Sequence, residues 1–252
     1  MGLGLKSFED TFNFVKKNPK VFLLALIPNL VVPLIGLAGR PSLTLEWLIA
    51  VVIYFVVIII LSILVAGSYP FVVYQSLKGK EIGLKEALDS SLRRFGDIIL
   101  TFILFGVIAL ATISIPLLLL IPAILFESLT LIIISATLLI PFGILLTYVL
   151  LRLPLAIPIL TIESKRPVES LKESWRRTKG YLWSIAGATF LLTLVITVIL
   201  IPVNILSEVC KYLNLSYVST IIDVISSTIS ATFSGLLMPI FYFNLKRETS
   251  LK

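Results

Sequence analysis

Few side chains of this chain are suited to chemistry, and the one that stands out is an arginine inside an apolar stretch. Arg152 lies within the run Leu129–Ile162, about ten residues from its end, or roughly 15 Å along a helix. An ionisable side chain in a membrane segment is by default a functional-site hypothesis, because its charge is costly there. Arg152 either holds an anionic group or is a structural or snorkelling arginine beside Pro154 and Pro158, and both interpretations stay open.

Three further polar residues lie inside apolar runs. Asp223 is the only acidic residue well within such a run, and it can partner Lys211 or a polar neighbour, or line a vestibule on the outer side. A direct pair with Arg152 is not expected, because the two residues fall in opposite halves of the membrane. Asn29 and Asn204 are single amides, for which interhelical hydrogen bonds are the expectation. With Arg152, these residues form the candidate intramembrane polar site.

Basic pairs end three short amphipathic segments and are the candidate contacts to lipid headgroups or to a cytoplasmic interface. Guanidinium groups bind phosphate in a bidentate manner, so these pairs can hold anionic lipids. The alternative is ordinary positive-inside anchoring by snorkelling side chains, which every polytopic membrane protein needs. The candidates are Lys16 and Lys17, Arg93 and Arg94, and Arg176 and Arg177 with the neighbouring Trp175.

Several chemistries are absent from the sequence. The chain has no histidine and a single cysteine, Cys210, which argues against metal sites built on imidazole or thiolate and against Ser-His or Cys-His nucleophile pairs. No apolar run carries two carboxylates at helical spacing, and no Gly-rich phosphate loop is present. We therefore expect neither an enzyme nor a cofactor, metal or nucleic-acid partner.

The composition is that of a helical membrane protein. Of the 252 residues 58% are hydrophobic and only 14% charged, against about 25% charged in soluble domains. The mean hydropathy is +1.08. Spanning a bilayer takes roughly 20 apolar residues, so we predict an all-α integral membrane fold with six transmembrane helices. The corresponding runs are Val21–Ala38, Leu48–Leu77, Ile98–Phe126, Leu129–Ile162, Leu182–Leu206 and Tyr217–Leu245.

The distribution of positive charge predicts the orientation. Of the 21 lysines and arginines, 18 lie before the first run, after the last run, or in the two loops on that same side. The positive-inside rule then places both termini in the cytoplasm, with the protein in an inner or plasma membrane. The first apolar run follows about 20 mostly polar residues without a cleavage site, so we expect it to be retained as a helix.

An internal repeat relates the amphipathic segments, which we call elbow helices. Residues 87–94 align with residues 170–177 at an offset of 83. The pattern predicts a single domain, 1–252, of three elbow–helix–helix repeats covering residues 6–78, 79–163 and 164–247. Each elbow helix is expected to lie in the cytoplasmic headgroup plane, apolar face down. The apolar faces are Phe8, Phe12 and Val15, then Leu84, Leu88, Leu92 and Phe95, then Val168, Leu171 and Trp175.

Prolines repeat with the same period in the second helix of each unit. Pro70, Pro154 and Pro239 are 84 and 85 residues apart, and each precedes a basic loop. Since proline frees a backbone carbonyl, we predict helix breaks at matching depth and a pseudo-threefold arrangement. Proline is also common in membrane helices without such a role, and that alternative stays open.

One stretch resembles a known group of membrane families. Residues 163–183 contain a Ser-Trp-Arg-x-Thr-Lys-Gly run, which is present here as Ser174, Trp175, Arg176, Thr178, Lys179 and Gly180. This run is similar to that of the membrane domain named for glycerophosphoryl diester phosphodiesterases and of related uncharacterised six-helix prokaryotic families. The resemblance implies a polytopic membrane fold. In the named family the phosphodiesterase chemistry belongs to a separate soluble domain, so it implies no enzymatic activity here.

Two functions of different classes follow. The first is the binding or transport of a lipid or other amphiphile, with Arg152 and the basic pairs at its anionic group. The second is a non-transporting membrane scaffold, or a subunit that binds a membrane or cytoplasmic protein partner through its elbow helices. The sequence does not separate them.

Overall fold

The computed structural model describes residues 2–33, 44–81 and 83–250, and these residues form helices joined by short turns, with no strand among them. A 3₁₀ turn, Pro19–Val21, precedes the second helix. The α-helices are α1 (Leu3–Lys17), α2 (Phe22–Val31), α3 (Leu45–Leu77), α4 (Leu84–Arg93), α5 (Phe95–Leu125), α6 (Leu129–Arg152), α7 (Ala156–Glu163), α8 (Pro167–Arg177), α9 (Leu182–Tyr212) and α10 (Ser216–Ser250).

The long apolar helices make this a multi-pass membrane protein. In the described part of the chain, five segments are long and apolar enough to cross a membrane. They are Glu46–Leu77, Phe95–Pro122, Leu129–Glu163, Leu182–Tyr212 and Ser216–Ser250. Five of the six predicted runs are thereby confirmed as long helical segments. The first run is helical over Phe22–Val31 and its residues 34–38 lie outside the described residues, so the sixth span stays a prediction.

A real interruption separates α6 from α7. Pro154 has no N–H to donate, and the Ala156 N–H bonds to the Leu153 carbonyl at 2.9 Å, so the Arg152 carbonyl turns to other partners. Pro70 and Pro239, by contrast, lie inside the continuous helices α3 and α10. The interpretation of these two prolines as helix breaks was therefore wrong, since one missing hydrogen bond is tolerated in a membrane helix.

The chain divides into two compact units, which cut across the repeat boundaries. Unit 1 comprises residues 1–95 and 184–252, and unit 2 comprises residues 96–183. In unit 1, helices α1, α2 and α3 pack against α10, and α4 packs against α3. Its core includes Tyr69, Phe233, Leu236 and Leu237, all at most 8% exposed. Aromatic contacts join α1 to α10, with the Phe12 and Phe233 ring centroids 4.7 Å apart.

Unit 2 has a smaller core, in which α8 packs against α6 and α7. The buried apolar residues at this contact are Val149, Leu153, Ala156 and Leu171. The Ser174 hydroxyl donates to the Arg152 carbonyl, which the helix interruption leaves free, at 2.7 Å. The break in the membrane helix and the docking of the elbow helix are thus one feature.

Small residues form the buried face of each elbow helix. The buried residues are Gly4, Ser7, Thr11 and Val15 in α1, Ala87 and Ser91 in α4, and Pro167, Ser170, Leu171 and Ser174 in α8. Large residues of the predicted apolar faces are partly outside this contact: Leu92 is 53% exposed and Trp175 40% exposed. Small side chains permit close approach between helices, so these contacts hold each elbow helix against a long helix of its own unit.

Candidate functional site

The first basic pair leads to a groove in unit 1, which we call the terminal groove. Its volume is about 740 Å³, and it lies between α1, the end of α3 and the end of α10. Its polar lining includes Asp10, Asn13, Lys17 and Asn18 from the first elbow helix and its C-cap, Ser76 from α3, and Asn244, Lys246, Arg247 and Ser250 from α10. The groove thus gathers residues that are up to 240 positions apart in sequence.

Three cations of the terminal groove are not paired with a carboxylate in the described part of the chain. Lys17, Lys246 and Arg247 are exposed and form no ion pair within residues 2–33, 44–81 and 83–250. The one carboxylate of the lining, Asp10, accepts a hydrogen bond at 2.9 Å from Asn244, whose amide also donates to the Ser7 hydroxyl at 3.2 Å. The groove therefore carries a net positive charge, part of which compensates the C-terminal dipoles of α1 and α10.

The floor of the terminal groove is apolar. The apolar part of the lining, which we call the floor, consists of Phe14, Val73, Leu77, Ile240 and Phe243. Next to this floor, the Tyr74 ring stacks on Phe243 with centroids 6.2 Å apart, and Lys78 lies 4.2 Å above Tyr74. Cations and apolar side chains that line one groove at the ends of membrane helices match the chemistry of an anionic amphiphile.

The third basic pair is engaged inside unit 2. Arg177 donates to Glu163 at 2.6 and 3.0 Å and to Glu173 at 2.6 Å. Arg176 also contacts Glu173 at 2.6 Å, and Lys165 lies 3.2 Å from Glu163. The two carboxylates are well shielded, with side chains only 16% and 11% exposed. This cluster ties the end of α7 to α8 and engages Arg177, whereas the Arg176 side chain stays 77% exposed.

The pKa values of this cluster reflect the competition between burial and pairing. Burial alone would raise the pKa of the Glu173 carboxyl, but hydrogen bonds from Arg176 and Arg177 outweigh it and lower that pKa below its usual 4.5. Burial likewise disfavours the charged form of Arg177, yet hydrogen bonds to Glu163 and Glu173 raise its pKa above the usual range. Both groups stay charged at neutral pH.

Arg152 is packed rather than open to a ligand. It is 7% exposed, and its guanidinium lies over the rings of Tyr148 and Trp175, 4.9 and 5.2 Å from their centroids. It donates to the Trp175 carbonyl at 2.9 Å and to the Tyr148 hydroxyl at 2.6 Å, and its Nε has no partner among the described residues. Arg152 thus holds Trp175 against α6. Trp175 is itself one of the candidate contacts to lipid headgroups or to a cytoplasmic interface.

The second basic pair lies at the end of α4, which packs on α3. Arg93 is exposed there, whereas Arg94 is half-buried and has contacts within the chain. Ser91 donates to the Leu64 carbonyl at 2.7 Å. Ser91 and Ser174 are equivalent at the offset of 83, and both bond to a carbonyl of the helix beneath their elbow helix.

The remaining intramembrane candidates cluster where α9 turns into α10. Asp223 accepts from Ser207 at 2.6 Å and lies 3.3 Å from Lys211, as one of the predicted alternatives required. Asn204 accepts from Ser226 at 2.9 Å, which is an interhelical hydrogen bond. Asn29 instead donates to the Ala25 carbonyl of its own helix at 2.8 Å. This hydrogen bond of Asn29 lies within one helix and is not the predicted interhelical one.

A second cavity, the hairpin cavity, adjoins this cluster. Its volume is about 850 Å³. Its lining includes Asn29 from α2 and Ser216, Tyr217, Thr220, Asp223 and Ser227 from α10. Asn29 and Asp223 are thus brought together, whereas Asn204 faces another side of α9.

Sequence reasoning missed the α10 side of the terminal groove. Lys246 and Arg247 contribute only to the predicted orientation, and Asn244 is not among the predicted site residues. The available signal was the position of an amide and two cations within four residues at the end of a membrane helix. That these residues meet Lys17 depends on the packing of the first helix against the last.

Comparison with known proteins gives no identity. No family model matches the chain, and no curated protein or solved structure matches it. Within the described residues no group of three or more Asp, Glu, Cys or His side chains is placed to hold a metal ion.

Proposed function

We propose that this protein binds the anionic headgroup of a membrane lipid or other amphiphile in the terminal groove. The observation that carries the proposal is that the groove is lined both by apolar side chains and by three cations, Lys17, Lys246 and Arg247, that form no ion pair among the described residues. Each lysine or arginine near a membrane surface contributes about 1 kcal/mol to the attraction of anionic lipid. The apolar floor favours an amphiphile over a free soluble anion.

The membrane placement that accompanies this proposal is a six-helix inner- or plasma-membrane protein of three repeats with both termini cytoplasmic. The distribution of the basic residues supports the orientation. Ser91 and Ser174, at equivalent positions of the second and third elbow helices, each donate to a backbone carbonyl of a long helix, and this shared contact supports the relation between the two elbow helices. In that orientation the terminal groove opens at the cytoplasmic leaflet, where anionic lipids attract basic segments.

The test compares lipid retention by two triple variants. The groove variant replaces Lys17, Lys246 and Arg247 by alanine, and the control replaces Lys6, Lys16 and Arg93, which are exposed cations outside the groove lining. Both variants lose two lysines and one arginine, so net charge is matched. After purification from membranes containing phosphatidylglycerol, native mass spectrometry measures the bound lipid.

We expect the groove variant to lose at least about tenfold in affinity for phosphatidylglycerol, and the control to change little. Equal losses in the two variants would mean that the lipid follows overall charge and that the groove is not a site.

A second function, a scaffold or partner subunit, is favoured by the packing in unit 2. Arg152 and Arg177 are both held by internal contacts, so α8 is a firmly docked helix rather than a ligand site. Its outward residues Val168 and Trp175 are 50% and 40% exposed and suit a membrane or cytoplasmic protein partner. Crosslinking from position 168 in native membranes tests it, and crosslinks to lipid alone would count against it.

A further inference from the structure

The lining of the terminal groove contains one carboxylate among its cations. Asp10 is half-buried on α1, and it forms no ion pair with Lys17, Lys246 or Arg247 in the described part of the chain. Its contact is instead to Asn244, whose amide donates to Asp10 Oδ2 at 2.9 Å. Because like charges repel, Asp10 works against the binding of a bare phosphate in this groove.

Asn244 fixes the position of this carboxylate. The same amide nitrogen donates to the Ser7 hydroxyl at 3.2 Å, and Ser7 is fully buried on α1. Because a carboxylate only accepts hydrogen bonds, the amide nitrogen of Asn244 and not its oxygen must face Asp10. Asp10 is thus held from the neighbouring helix α10 at a defined place in the lining.

Asp10 keeps most of its capacity to accept hydrogen bonds. An ionised carboxylate has about four acceptor positions. Among the described residues, the one hydrogen bond to the Asp10 side chain comes from Asn244. Since Asp10 lines the groove, a bound headgroup can donate to the remaining acceptor positions.

The spacing along α1 provides room for more than a phosphate. Asp10, Asn13 and Lys17 all line the groove, and their separations of three and four residues place them on one face of α1. The seven positions from Asp10 to Lys17 correspond to about 10 Å of helix. A headgroup whose phosphate pairs with a cation can therefore extend along α1, with a further polar part near Asn13 and Asp10.

This further polar part must donate hydrogen bonds without carrying a positive charge. A phosphodiester has no proton to give to Asp10. An ammonium group has protons, but the three cations of the same groove raise its free energy there. Hydroxyl groups donate while staying neutral, and the Asn13 amide can serve them as donor or acceptor. A ligand without them leaves Asp10 repelled and without a new partner, which is how a binding site discriminates.

We propose that the terminal groove selects an anionic lipid whose headgroup carries free hydroxyl groups beyond its phosphate, as a glycerol or a sugar does, and that Asp10 accepts the hydrogen bond that distinguishes it. This inference rests on the proposed function, because Lys17, Lys246 and Arg247 hold the phosphate. Asp10 determines specificity, and Asn244 is a positioning residue.

The test is a competition between two lipids that differ chiefly in these hydroxyls. Phosphatidylglycerol and phosphatidylethanol with the same acyl chains carry the same single negative charge, but phosphatidylethanol has no hydroxyl on its headgroup. The purified protein is mixed with equal amounts of both, and native mass spectrometry measures the ratio of the two bound lipids. We expect wild-type protein to prefer phosphatidylglycerol about tenfold, the effect of one hydrogen bond to a charged group.

Two variants of Asp10 should abolish this preference. Asp10→Ala deletes the acceptor, and in Asp10→Asn, which keeps the size of the side chain, the single amide oxygen stays engaged by Asn244, so the ligand meets an NH₂ group. Both variants should bind the two lipids within about twofold of each other. A loss of docking between α1 and α10 would instead weaken both lipids alike and leave their ratio unchanged. Glu9→Ala loses the neighbouring exposed carboxylate, which is outside the groove lining, and this charge-matched control should keep the wild-type ratio.

The outcomes separate selectivity from binding. If wild-type protein binds both lipids equally while their retention depends on Lys17, Lys246 and Arg247, the selectivity is wrong and the binding proposal stands. A preference for phosphatidylglycerol that persists in both Asp10 variants would overturn the role of Asp10. If retention of neither lipid depends on the three cations, the proposed function fails, and this inference fails with it.

Discussion

The first and third elbow helices end in the same kind of basic pair but use it differently. Arg177, at the end of α8, is held by Glu163 and Glu173 at 2.6 Å and joins two helices of unit 2. Lys17, at the end of α1, has no ion pair among the described residues and faces a groove. The difference lies in the neighbouring carboxylates, so a basic pair becomes a structural link or an open site according to what surrounds it.

The largest expected effect is a loss of stability in unit 2, where the basic pair is held by carboxylates. Arg177→Ala should lower the free energy of unfolding by about 2–3 kcal/mol, because it leaves two shielded carboxylates without their main partner. Thermal or denaturant unfolding in detergent measures this loss. The neighbouring Arg176→Ala is the control, since its side chain is 77% exposed and an exposed pair contributes less than about 1 kcal/mol. Equal losses of stability in the two variants would contradict the assignment of Arg177 as the main partner of the two carboxylates.

Arg152 gives the next effect. Arg152→Met should cost about 1–2 kcal/mol of stability, since the Trp175 carbonyl and the Tyr148 hydroxyl each lose a donor while the aliphatic volume is kept. Lipid retention by the folded fraction should not change. A variant with wild-type stability and lost lipid would instead make Arg152 a ligand contact. The conclusion that the cations of unit 2 are structural would then be wrong.

Ser91 and Ser174 allow the docking of the second and third elbow helices to be compared directly. Ser91→Ala and Ser174→Ala should each cost about 1 kcal/mol, because each removes a hydrogen bond between an elbow helix and a long helix. Thermal unfolding of the two variants side by side measures the difference. Effects that differ by more than a factor of about three would argue that the two elbow helices are docked by different contacts.

Acid pH should weaken the docking of the third elbow helix. The pKa of Glu173 is lower in the folded protein than its usual 4.5, so its contribution is fully present well above pH 4.5 and is lost as pH falls through the folded value. The slope of stability against pH in this range should become shallower in Glu173→Gln. An unchanged slope in that variant would show that another carboxylate is responsible.

The smallest effect on stability is expected at the open site. Lys17→Ala should change the free energy of unfolding by less than about 0.5 kcal/mol, because the side chain is exposed and unpaired. Retention of phosphatidylglycerol should nevertheless fall, as measured by native mass spectrometry. Lys16→Ala, one position away and outside the groove lining, should leave retention unchanged, and a similar fall there would argue against the groove.

The helical membrane class could be predicted because it follows from composition and run length alone. Leu48–Leu77 and Leu182–Leu206 were placed within a few residues of α3 and α9 in this way. The continuity of the helices at Pro70 and Pro239 could not be predicted, because the tolerance of a proline depends on the helices around it. Pro154 and Pro158 lie four residues apart, and their helix is interrupted.

The candidate site was predicted only where its residues are close in sequence. Asp223 with Lys211 and Asn204 with Ser226 lie on consecutive helices, so their pairing needed only a turn between them. The terminal groove needs α1 to pack on α10, a contact between residues more than 220 positions apart, as for Ser7 and Asn244. Such contacts follow from the buried small-residue faces, which a search for apolar faces overlooked.

Photo-crosslinking of an anionic lipid most directly tests whether the terminal groove is the site. The protein is purified with a photoreactive phosphatidylglycerol, irradiated and digested, and the modified peptides are identified by mass spectrometry. Our account predicts adducts on residues 10–18 and 240–250, with loss of both in the variant lacking Lys17, Lys246 and Arg247. Adducts concentrated instead on Pro167–Arg177, unaffected by that variant, would contradict it.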